Sequence, residues 1–195
     1  MTLARVLICA AVLSVPLTQG PAPVRVVMQT TLGDIEMELD LAHAPRTAAN
    51  FLKYVDAGLY DGGRFHRTVR PDNQREKPVK IAVIQGAANP EKRAAFLAPI
   101  PLERTSVTGL RHTDGVVSMA RDAADTATHE FFICVGDQPE LDFGGRRNPD
   151  GQGFAAFGRV VRGLDVVRRI QQAPAQGERL TPAIAITAVR RAGSL

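Results

Sequence analysis

The chain has 195 residues, 45% of them hydrophobic and 23% charged, with 17 Gly and 13 Pro; these are the proportions of one globular domain and set aside disordered, collagen-like and multi-domain organisations. Lys and Arg number 24 against 20 Asp and Glu, a formal charge of +4, interspersed without a basic stripe, so no nucleic-acid partner is expected. The two cysteines, Cys9 and Cys134, could close at most one disulfide, which excludes a disulfide-stapled miniature fold.

From Met1 the order is a lone positive charge at Arg5, an apolar run over 6–13, then Pro16 and small or polar residues to Ala22. This is the layout of a secretory signal peptide, expected over 1–22, and the run is too short to span a bilayer comfortably. The chain is therefore expected to be exported, most simply to a periplasm, with no stable membrane insertion. Retention by an uncleaved N-terminal anchor is the alternative. Removal of the leader would leave Cys134 as the only thiol. It lies in Phe131-Phe-Ile-Cys-Val135 and reads as a small buried hydrophobe, not a nucleophile.

The domain is expected over 24–192. Residues 24–41 alternate apolar and polar side chains around Thr31-Leu-Gly-Asp34, the pattern of a β-hairpin. Pro45 then opens a helix whose Ala48, Phe51, Leu52 and Val55 share one face, with Gly58 after its last turn. Short strands are predicted over 64–69, 81–84, 116–120, 131–135, 156–160 and 183–189, and a second helix over 164–171. Many short strands with two helices point to a closed or sandwiched antiparallel sheet with helical caps. Two polar stretches, 70–79 and 144–153, read as long surface loops.

Spacing alone supplies little chemistry. The histidines His43, His66, His112 and His129 form no HxxxH or HExxH arrangement, and the cysteines are far apart, so no metal site and no cofactor are expected. GxSxG, GxxxxGK[ST] and a GxGxxG leading into a helix are all missing from the sequence. What stands out is a fixed cation beside apolar and aromatic residues: Phe65-His-Arg67, Gln85-Gly86, Ser118-Met-Ala120 and Phe131-Phe132. Each is bland alone, since a paired Phe is more often core and a lone Arg more often solvated.

Their order is specific. Leu32-Gly-Asp34, Pro45-Arg-Thr-Ala-Ala-Asn-Phe51, Tyr60-Asp-Gly62, Phe65-His-Arg67, Ile84-Gln-Gly86, Gly115-Val-Val-Ser-Met-Ala120, Phe131-Phe-Ile-Cys134, Leu141-Asp142 and Phe157-Gly-Arg-Val-Val-Arg-Gly-Leu-Asp165 together resemble the cyclophilin-type peptidyl-prolyl isomerases. The resemblance implies a mainly β fold, a closed eight-stranded antiparallel barrel capped by two helices. It also implies catalysed rotation about Xaa-Pro bonds in unfolded or flexible polypeptides, by a monomer. On that matching Arg67 and Gln85 are the catalytic pair, and Phe65, Val83, Ala120, Phe132, Leu141 and Phe154 are the substrate-binding residues. A binding module or chaperone for Pro-containing chains, with little turnover, is the alternative.

The chain departs from the family pattern at several positions. Ala82 and Val83 replace larger residues before Gln85, so the proline slot is expected to be wider or filled from elsewhere. Arg121 stands where asparagine is usual and would bias the enzyme toward acidic or uncharged flanking residues. Glu140 occupies the position of a frequent tryptophan, and Phe154 that of a pocket histidine.

Overall fold

The computed structural model describes residues 24–74 and 76–193; the expected leader over 1–22 lies outside them. Strands β1 (Val24–Thr30) and β2 (Gly33–Leu39) form the predicted hairpin, paired from Val24↔Leu39 to Thr30↔Gly33. The alternation has its physical counterpart in Val26, Met28, Ile35, Met37 and Leu39, all fully buried. Helix α1 (Pro45–Asp56) starts on its proline and buries Ala48, Phe51, Leu52 and Val55, the face the spacing predicted. Gly58, at φ +62°, turns the chain out of the helix in the left-handed conformation that favours glycine.

Six further barrel strands follow: β3 (Gly63–Val69), β4 (Val83–Ala87), β5 (Val116–Met119), β6 (Phe131–Cys134), β7 (Ala155–Arg162) and β9 (Arg179–Arg191). The antiparallel order β1-β2-β7-β5-β6-β4-β3-β9 closes through a β1–β9 pairing, so the expected eight-stranded barrel is formed. A two-residue strand, β8 (Ala175–Gln176), pairs with the start of β9. Helices α1 and α3 (Leu164–Gln172) are the two expected caps. A single extra turn, α2 (Thr105–Thr108), is too short to show a period in the sequence.

The predicted strand over 81–84 instead runs Val83–Ala87. Gly86 makes the extension possible: a Cβ there would meet the Phe131 ring at 2.8 Å and the Phe65 ring at 3.1 Å. The last strand is also longer than 183–189, because β9 pairs in turn with β8, β3 and β1.

Two apolar clusters share this sheet. The barrel interior holds Phe51 with its ring centroid 4.9 Å from Tyr60, 5.2 Å from Phe157 and 5.6 Å from Phe131. Aromatic packing of this kind makes an interior Phe→Ala change cost about 3–5 kcal/mol. A smaller cluster, including Val83, Phe132, Leu141 and Ala156, lies apart from the first. Neighbouring side chains in a strand point to opposite faces, so Phe131 belongs to the barrel core and Phe132 to the second cluster.

Candidate active site

The second cluster lies under a cleft of about 420 Å³. Arg67 reaches it through a β-bulge. The ladder pairs Phe65 with Gly86, then Arg67 with Gln85, so His66 is an extra residue on β3. A regular strand would turn Arg67 to the same side as Phe65, into the barrel. The bulge re-aims it outward beside Gln85. In the next strand Gln85 pairs with Phe132, and Phe132 pairs with Ser118. Residues opposite one another on a ladder share a face. A single row across β3, β4, β6 and β5 therefore aligns the guanidinium, the amide and the ring.

Of the residues expected from the sequence, Arg67, Gln85, Val83, Ala120, Phe132, Leu141 and Phe154 all line the cleft. Phe65 does not. It is fully buried in the barrel, its ring edge-on to Phe131 at 5.6 Å. The bulge at His66 puts it on the face of β3 opposite to Arg67.

Four side chains form a polar chain along the rim. Arg67 Nη1 donates to Gln85 Oε1 at 2.7 Å, while Nε and Nη2 donate to Glu178 Oε2 at 2.8 and 2.5 Å. Gln85 Nε2 in turn donates to Glu130 Oε2 at 2.5 Å, which fixes the amide's orientation. Glu178 is set by the turn between β8 and β9, where its carbonyl accepts from Thr68 N at 2.8 Å. Below the cleft Phe132 meets Phe154 edge-on at 5.4 Å and lies nearly parallel to His112 at 5.9 Å.

His112 is part of a buried relay. Its Nδ1 lies 2.8 Å from Asp142 Oδ1 and its Nε2 2.9 Å from Ser118 Oγ. The order resembles a hydrolytic triad, but Ser118 is fully buried, so the relay orients side chains behind Phe132 and offers no nucleophile. Burial pushes the Asp142 carboxyl up, and hydrogen bonds from His112 and a contact from Arg111 outweigh it, so its pKa ends below the ordinary value. Cys134 is fully buried and burial drives its thiol pKa well up, in keeping with the packing role expected for it. Among the described residues no group of three or more His, Cys, Asp or Glu is placed to hold a metal ion.

The two long loops meet at this site. Arg147 Nη1 donates to Gln74 Oε1 at 2.8 Å and to the Val79 carbonyl at 2.7 Å. Gln74, only 2% exposed, donates to the carbonyls of Arg70 and Ile81 at 2.7 Å each. Arg147, Asn148 and Ile81 thereby become cleft wall, beside the small Val83. The slot is thus filled from elsewhere, by Ile81, Arg147 and Asn148, none of which the motifs mark. No local signal in the sequence links a glutamine at 74 to an arginine at 147.

The expectation for Arg121 is corrected. Its side chain is fully buried, bonded to both carboxylate oxygens of Asp150 at 2.7 and 3.0 Å and to the Gly153 carbonyl at 2.8 and 2.6 Å. Its guanidinium carbon sits 5.1 Å from the Phe154 ring centroid. The charge is spent on organising the 144–153 loop and is not offered to flanking substrate residues. Glu140 likewise turns to Arg146 at 2.8 Å and does not line the cleft.

The family model described as cyclophilin type peptidyl-prolyl cis-trans isomerase matches residues 25–191. The chain is 36% identical over 148 residues to peptidyl-prolyl cis-trans isomerase A of Dickeya dadantii, covering 75% of this chain and 70% of that protein. It is 40% identical over 146 residues to cyp18 of Streptomyces antibioticus, covering 74% and 81% respectively. In fold it is similar to a cyclophilin type isomerase from Cryptosporidium parvum, with a TM-score of 0.69 at 19% identity over 89% of this chain and 99% of that one. The chain belongs to the cyclophilin-type peptidyl-prolyl cis-trans isomerases.

Proposed function

We propose that the 420 Å³ cleft is where this isomerase twists its Xaa-Pro bond, and that Arg67 stabilises the twisted amide. The observation that carries the reading is the rung Arg67–Gln85–Phe132, which sets a charged donor beside an apolar ring. Rotation about the peptide bond faces a barrier of roughly 18–20 kcal/mol because the planar amide is resonance-stabilised. At the twisted geometry that resonance is lost and the nitrogen lone pair becomes an acceptor. A donor aimed at it binds the transition state better than either planar isomer, and each tenfold in rate needs only about 1.4 kcal/mol of such preference.

Arg67 has the right donors left. A guanidinium carries five N–H groups. One on Nε, one on Nη1 and one on Nη2 are engaged by Glu178 and Gln85, which leaves one on each terminal nitrogen. The two partners hold the plane rigid, so little side-chain freedom is lost when substrate arrives. Phe132, Leu141 and Phe154 supply the apolar surface for the proline ring, and Gln85 a polar group for the substrate backbone.

The cleft takes Pro-containing polypeptides as a monomer, without nucleic acid. The Cryptosporidium protein that is similar in fold has been crystallised in the presence of the dipeptide Ala-Pro. The leader over 1–22 directs the chain out of the cytoplasm. Among the described residues no helix is long and apolar enough to cross a membrane. Mass spectrometry of the exported protein should find an N-terminus beyond residue 20, and a chain that keeps Met1 would contradict export by cleavage.

NMR exchange on a short Ala-Pro peptide tests the mechanism. Arg67→Ala is expected to lower kcat/KM by at least about a hundredfold, the range of a lost preorganised donor. Full activity in that variant would show that the chemistry lies elsewhere.

A further inference from the structure

Arg67 stands on a ridge. On the far side from Phe132 lies a second, larger groove of about 930 Å³, which shares Arg67, His129 and Glu130 with the proline cleft. A polypeptide whose proline occupies the cleft must leave it in both directions, and one exit is this groove.

The groove's chemistry is uneven. Its floor is apolar, with Ala87, Pro90 and Phe96. Its rim carries Arg64, Arg93 and Arg179, all exposed. Among the described residues none of these three has a carboxylate within salt-bridge distance, whereas most other arginines of the domain do. Of the two acidic residues at the groove, Glu178 is paired with Arg67, while Glu130 is bonded by the neutral amide of Gln85, which does not offset its carboxylate. His66 and His129 add no charge at neutral pH, since burial holds both below their ordinary value. What meets an entering chain is therefore an apolar strip flanked by three unpaired cations against the single carboxylate of Glu130, a net positive rim.

We infer that this groove is an extended substrate subsite that receives the chain adjoining the isomerised proline and selects segments carrying acidic side chains. The inference rests on the proline cleft being the reacting site, and it names the substrate class of that site. Arg121 and Arg147 do not compete for the role. The first is buried on Asp150, and the second is tied into the loop wall on the other side of the ridge.

The test uses five substrates and two proteins. A neutral Ala-Pro tetrapeptide is compared with longer peptides that carry Glu or Lys at the positions beyond the proline's neighbours, in arms that place the charge before or after the proline. Wild type should turn over the tetrapeptide, and in one arm should prefer Glu over Lys by about fivefold in kcat/KM, expressed mainly in KM, the range expected of two rim charges. The preference should shrink in about 0.5 M salt, where the Debye length is only a few ångströms. Arg93→Ser combined with Arg179→Ser should keep the tetrapeptide rate and bring the Glu/Lys ratio to within about twofold of unity. Equal rates for Glu and Lys peptides in wild type, or an undiminished preference in the double variant, would overturn the groove while leaving the cleft intact. A wild type inert toward the tetrapeptide would overturn the reading of the cleft, and the groove with it.

Discussion

Glu178 Oε2 accepts from both Nε and Nη2 of Arg67, at 2.8 and 2.5 Å, although the two residues are 111 positions apart in the chain. Nη1 of the same guanidinium is held by Gln85 at 2.7 Å. Two edges of the plane are thus fixed from opposite sides, and the remaining donors have one direction to point.

Glu178→Ala is therefore expected to reduce kcat by about tenfold with KM within twofold, as rotamers of Arg67 that miss the amide nitrogen become populated. The pair is worth little to the fold, since the side chains are 36% and 25% exposed and such pairs contribute less than about 1 kcal/mol. NMR exchange beside urea unfolding separates the two effects. An unchanged kcat would show that Gln85 alone is enough to orient the arginine.

Arg121 tests the opposite case, a cation with no exposed surface. Asp150→Asn leaves its guanidinium buried against a neutral partner. The expected loss of stability is about 2 kcal/mol, below that of a fully buried pair because Asp150 is itself 36% exposed. Urea unfolding measures it. A loss under about 0.5 kcal/mol would mean that the Gly153 carbonyl and the Phe154 ring suffice to hold the charge.

The barrel was legible because its strands alternate cleanly and glycine and proline punctuate them; the cleft was legible because its motifs keep their order. What the sequence hid has a common physical cause. The bulge at His66 carries no local signature, so Phe65 looked like a neighbour of Arg67 in space as well as in sequence. The charge of Arg121 could be read, but its partner Asp150 is 29 positions away in a loop of ordinary composition. Glu178 and the Gln74–Arg147 clasp are likewise contacts between distant loops. Periodicity reports which face of an element is buried, not which loop it will meet.

Stability should fall in two steps as the solution is acidified. His66 and His129 have folded-state pKa values held below the ordinary 6.5, first by burial. The fold therefore prefers them neutral, and the stability they contribute is present above pH 6.5 and lost as pH falls through the lower folded values. Asp142 and Asp150 have carboxyls depressed from the ordinary 3.8, and their contribution is present above that value and lost only as pH falls beneath it. Urea midpoints measured from pH 8 to 3 should be flat, then decline below about 6.5, then drop steeply below about 4. His129→Gln should shrink the first step and leave the second. A single transition near pH 4 in wild type would show that neither histidine is held neutral by the fold.

The clasp between the two long loops makes a separable prediction. Gln74 is 2% exposed and satisfies the carbonyls of Arg70 and Ile81 as well as accepting from Arg147. Removing its amide leaves the Ile81 carbonyl without its donor, at a cost of about 1–3 kcal/mol where it stays buried, while the Arg70 carbonyl keeps the donor of Asn73 N at 3.2 Å. Arg147 also loses one of the two acceptors that fix it, so the wall it forms with Ile81 loosens. None of these groups bonds to Arg67, Gln85 or Glu178, and the donor aimed at the amide nitrogen keeps its geometry. Gln74→Ala should therefore raise KM for a proline peptide about threefold to tenfold, a loss of uniform binding, while kcat stays within about twofold. A fall in kcat at unchanged KM would instead place the loops in contact with the reacting bond, and would make the wall part of the catalytic machinery.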